Sequence, residues 1–97
     1  MGLRTRIFID WKETTTELDV LKSILQQAKA PDWHGLGLDV VEDSFVVGNI
    51  NESKPPYEFH LKNLNSEDED MKSFQNSLIE IFSECVRKYA GTTLTIE

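Results

Sequence analysis

From Tyr57 to the last residue the chain alternates, then turns helical, then alternates again, and this succession constrains its fold more than any other feature. Tyr57, Phe59 and Leu61 alternate with Glu58, His60 and Lys62, the two-residue period of a strand with one buried face. Met71, Phe74, Leu78, Phe82, Cys85 and Tyr89, joined by Ile81, recur at the three- and four-residue steps of a long amphipathic helix. Thr92 to Ile96 is β-branched and alternates once more. Parallel strands need a long crossover, and a helix supplies it while covering the sheet. This half of the chain therefore predicts a βαβ unit.

The first half extends the same layout. Ile7 and Ile9 alternate with Arg6, Phe8 and Asp10, predicting a first strand with Phe8 turned toward a second apolar layer. Thr14 to Glu17 offers a threonine N-cap, with Glu17 three residues after Thr14 in capping-box spacing. Leu18, Leu21, Leu25 and Ala28, widened by Ile24, give a first helix that Pro31 is expected to end. Gly35 and Gly37 open a turn to backbone angles closed to other residues. A short second helix, from about Leu38 to Val47, would bury Leu38, Val41 and Phe45 and leave Asp39, Glu42 and Asp43 outside. Phe45 to Val47 also suits a strand.

A polar loop follows, from Gly48 to Pro56. Ser66 and Glu69 have capping-box spacing at the start of the last helix, within an acidic cluster favoured by the helix's positive end. Arg87 and Lys88 suit its last turn, and Gly91 is placed to stop it. The expected order is βααβαβ: an α/β fold with a small three-stranded parallel sheet and about three helices, residues 1–97 forming one domain.

The formal net charge is -7, which argues against nucleic acid or an anionic membrane as the main partner. A basic protein is the natural opposite, although acidity also simply aids solubility. Cys85 is the only cysteine, so no internal disulfide forms, and its place on an apolar helical face fits a reducing compartment. The opening MGLRTRIFID lacks the apolar core of a secretory signal, and Arg6 breaks the myristoylation pattern. No run reaches transmembrane length. Cytoplasm is the expected location.

Asp39 and Asp43 stand four residues apart on one helical face, a like-charge pairing that costs ~0.2–0.5 kcal/mol until a cation approaches. An aspartate in a first turn, such as Asp39, is favoured by the helix dipole without any partner. Asp43 lies beyond that effect and is the stronger candidate for binding. Trp33 serves equally well as a lid on the core or an anchor for a partner. Glu84 has Lys88 four residues on, a sufficient helical reason for its presence.

The stretch PDWHGLGLD from Pro31 to Asp39, running on through VVED, resembles the barstar family, the small intracellular inhibitors of microbial ribonucleases. IEIFSECVRKYAG and TLTIE near the end are also similar, and DSFVVGNINESKPPYEF resembles a longer-looped branch of that family. The likeness spans Arg6 to Ile96. It implies a protein that performs no chemistry, needs no cofactor or metal, and plugs the basic active site of a nuclease with its acidic second helix.

By that resemblance Asp43 corresponds to the central inhibitory aspartate and Asp39 to the one flanking it. Trp33 and His34, beside Gly35, stand where the family touches its partner, and Glu84 matches an outlying glutamate on the last helix. Gly37 replaces the family's usual asparagine, and Glu42, on the same acidic surface, replaces a bulky apolar residue. The expected partner is a toxin nuclease domain, with this chain a monomeric immunity protein of an interbacterial toxin system until the complex forms. A second reading is a regulator that keeps the scaffold and binds another protein. A third is an enzyme holding a divalent ion on Asp39, Asp43 and Glu84. No phosphate-cradling loop, GxSxG elbow or zinc spacing accompanies those carboxylates.

Overall fold

The computed structural model describes residues 5–12, 16–29, 37–47, 56–64 and 68–97. Its strands are β1 (Thr5–Asp10), β2 (Tyr57–Lys62) and β3 (Thr93–Ile96), and its helices α1 (Glu17–Gln27), α2 (Leu38–Glu42) and α3 (Glu69–Lys88). The sheet is parallel throughout, in the order β1-β2-β3, with Ile7 opposite Phe59 and Phe59 opposite Leu94. This is the α/β architecture the sequence predicts. Among the described residues no helix is long and apolar enough to cross a membrane.

Register explains the core. Ile7 and Ile9 on β1 share a sheet face with Tyr57, Phe59 and Leu61 on β2, and all five are buried. Val20, Ile24, Val41, Phe45, Leu78, Phe82 and Cys85 close over that face from the helices. Phe59 and Phe82 stack at 4.1 Å between ring centroids. Phe45 meets Tyr57, Phe59 and Phe82 edge-on at 4.9, 5.5 and 5.9 Å. These rings tie α3 and the segment that follows α2 to the central strand, in the edge-to-face and offset geometries that aromatic quadrupoles favour.

The opposite face corrects one expectation. Phe8 is 46% exposed, beside His60 and Thr95 across the strands. The described helices pack on the other face, so among the described residues no second apolar layer receives the ring. The outer edge of β1 is nevertheless blocked at Phe8. The Gln27 side chain accepts from the Phe8 backbone N–H at 2.8 Å and donates to its carbonyl at 2.9 Å. One amide thus does the work of two strand bonds at an edge otherwise open to further pairing.

The helix ends differ in detail from their sequence signals. Thr16, not Thr14, caps α1, its hydroxyl accepting from the Asp19 N–H at 3.1 Å. Thr14 lies outside the described residues. Leu18 is 48% exposed, and Val20 takes its place in the buried stripe. The stripe centres on Val20, Ile24 and Ala28, and Leu18 sits about a third of a turn off that line in the first turn. The helix stops before Pro31 because Lys29 takes a left-handed φ of 56° and donates its N–H to the Gln26 carbonyl at 3.1 Å.

Asp68 rather than Ser66 caps α3, accepting from the Asp70 N–H at 2.9 Å; Ser66 lies outside the described residues. After α3, Gly91 has a φ of 89°, and a side chain there would press on Pro56 at 3.3 Å. Both facts reserve that turn for glycine.

Candidate functional site

The second helix is continuous through Val47, which removes the strand alternative. Its second part, Asp43–Val47, is wound as a π-helix. The wider turn follows from the apolar residues. Val41, Phe45 and Val46 are all buried, and residues five apart lie ~140° round an α-helix. Bonding five residues along instead of four brings Val46 back to the same side as Val41. Leu38 is only half buried. Gly37 launches the helix in an extended conformation (φ 169°, ψ 166°) open to any residue, so the expected need for a glycine there is not met.

Inward packing of these residues turns Asp39, Glu42 and Asp43 to the surface, all exposed. Beside them runs a cleft of about 330 Å³ between α2 and α3, lined by Leu38, Asp39, Glu42, Ser77, Glu80, Ile81, Glu84 and Arg87. Leu38 and Ile81 are its apolar lining, and Glu80, Glu84 and Arg87 stand on the α3 side. The fold therefore brings Asp39 and Glu42 together with Glu84, from some forty residues further along the chain. Asp43 heads the π turn and does not line the cleft. Trp33, His34 and Gly35 lie outside the described residues.

Glu80 and Arg87 are members of this surface that sequence reasoning missed. The signal was present: Ser77, Glu80, Glu84 and Arg87 recur at steps of three and four, the same period as the buried stripe but on another face. Four carboxylates and one guanidinium share the cleft. Among the described residues none of the four carboxylates is held in an ion pair. Among the same residues, no three His, Cys, Asp or Glu side chains are grouped to hold a metal ion.

Two carboxylates elsewhere, Glu58 and Asp10, are compensated. On the open sheet face the Arg6 guanidinium donates to Glu58 at 3.2 Å, and His60 Nε2 lies 3.4 Å from the other Glu58 oxygen. Arg6 first, and His60 beside it, hold the Glu58 carboxyl below its ordinary pKa. At the end of β1, Asp10 accepts from the Asn63 amide at 2.7 Å and from the Lys12 N–H at 3.0 Å. Those two bonds, Asn63's foremost, lower its pKa as well. Asn63 reaches it from a left-handed φ of 61°.

Compared with known proteins, the chain matches no protein-family model and no curated sequence.

Proposed function

We propose that this protein is a barstar-type immunity protein: a cytoplasmic inhibitor that docks the acidic surface of α2 and α3 into the basic active site of a toxin nuclease. The observation that carries this reading is the cleft itself. Two helices distant in sequence present four exposed carboxylates around an apolar strip, and among the described residues none has an ion-pair partner. Like charges gathered this way repel one another in the free protein, and a cationic partner reverses the sign.

Among the described residues, three carboxylates that the barstar resemblance assigns to inhibition stand on the second helix and α3. Asp39 and Glu84 line the cleft, and Asp43 lies one turn beyond Asp39 on the same helix. A nuclease active site carries cations to hold phosphate, and a rigid set of carboxylates competes for them. The net charge of -7 would speed capture through long-range steering. No cofactor or bond-making step is required of the inhibitor.

The test is co-purification with a candidate basic nuclease domain, chosen from any toxin gene found to neighbour this one, combined with a ribonuclease assay. Wild-type protein is expected to bind that domain and abolish cleavage. Asp43→Ala should weaken binding by about 2–5 kcal/mol, a range drawn partly from complexes of the barstar family. Unchanged affinity in that variant would sink the proposal. Capture of a partner without nuclease activity would instead favour the regulator reading.

A further inference from the structure

The last carbonyls of a helix run out of intrahelical partners, and at the end of the π turn that carries Asp43 α3 supplies donors to two of them. Lys88 Nζ donates to the Val46 carbonyl, and Cys85 Sγ lies 3.4 Å from the Phe45 carbonyl in donor geometry. Consecutive carbonyls of one helix end are thus taken up by side chains one turn apart on another helix. The Lys88 ammonium also lies 5.5 Å from the centre of the Tyr89 ring, which fixes its direction of approach.

We infer that Lys88 is a positioning residue for the acidic surface, clamping the end of the Asp43–Val47 turn onto α3 so that the carboxylates of both helices are held in one fixed arrangement. The need for a clamp is physical. A π turn is rare, and it persists where the surroundings favour it over the ordinary helix. Burial of Phe45 and Val46 holds the turn from within, but leaves its last carbonyls to be satisfied. A hydrogen bond from a charged donor is the stronger kind, and Lys88 reaches the turn from the exposed side of α3. A rigid acidic surface binds more tightly because less motion is lost on docking. That last consequence rests on the proposed docking function; the clamp itself belongs to the free protein.

The experiment is amide hydrogen exchange, read by NMR on the unbound protein, for wild type, Lys88→Met and Lys88→Arg. Methionine keeps the stem and removes every donor; arginine keeps donors and charge. In Lys88→Met the amides of Phe45 to Val47 should exchange about tenfold faster, while Ile24 and Leu25 of α1 and Phe59 and Leu61 of β2 stay unchanged. Lys88→Arg should restore most of the protection. Equal acceleration at all these sites would reduce Lys88 to a general stabiliser and overturn the inference. So would an unchanged turn in Lys88→Met, or no rescue by arginine. Because no partner is present, loss of the docking function leaves these outcomes intact, and failure of the clamp does not touch the binding test.

Discussion

Two surfaces of this protein treat their carboxylates in opposite ways. On the open sheet face and at the end of β1, Glu58 and Asp10 are each met by a donor, and both titrate below their ordinary range. Along the cleft between α2 and α3, Asp39, Glu42, Glu80 and Glu84 crowd together with no ion pair among the described residues and one guanidinium between them. The first arrangement supports the strands that carry it. The second gathers like charges that repel one another and that no ion pair among the described residues offsets, which is the physical reason for proposing a partner there.

Phe45 joins the two regions, since its ring touches the central strand and α3 while its helix carries the acidic face. Phe45→Ala should therefore have the largest effect, a loss of about 3–5 kcal/mol in urea unfolding. A loss well under 1 kcal/mol would mean that the acidic helix is anchored by something else, and the surfaces would then be independent.

Acid should separate the two surfaces next. Glu58 and Asp10 have folded pKa values below their unfolded ones, so their contribution is fully present above the unfolded pKa and disappears as pH falls through the folded value. Denaturation midpoints should therefore drop as the pH is lowered through roughly 4. Glu58→Gln and Asp10→Asn should each flatten that drop. An acid limb as steep in the double variant as in wild type would show that the paired carboxylates are not what responds.

The smallest effect has the opposite sign. Glu80 and Glu84 stand one turn apart on α3, and neutralising them in Glu80→Gln/Glu84→Gln should stabilise the free protein by ~0.2–0.5 kcal/mol. Calorimetry should show a rise of a few degrees at most. A fall in melting temperature would mean that these groups already serve the fold, and the contrast with Glu58 would collapse.

Much of this was legible along the chain. Tyr57, Phe59 and Leu61 declared a one-sided strand by period alone, and the Phe74–Cys85 stripe declared the crossover helix. Caps were less legible, because runs such as Thr14 to Thr16 and Ser66 to Asp70 offer several chemically equivalent oxygens. Only the geometry of the first turn selects Thr16 and Asp68. Phe8 was misassigned for a related reason: alternation shows that a strand has two faces, but not whether anything lies over the second. The acidity of the second helix was equally plain, whereas Glu80 and Arg87 were hidden in a helix whose buried stripe dominates its pattern.

Local sequence determined the element order and the outward turn of Asp39, Glu42 and Asp43, since each depends on periods shorter than ten residues, and the succession of strand, helix and strand implied the parallel sheet. Tertiary packing decided the rest. Burying Val41, Phe45 and Val46 on one side widened the helix into a π turn, and α3 came to lie beside it with its own carboxylates and Lys88. Which distant charges become neighbours depends on how two helices settle on one sheet face, and no window of sequence contains that information.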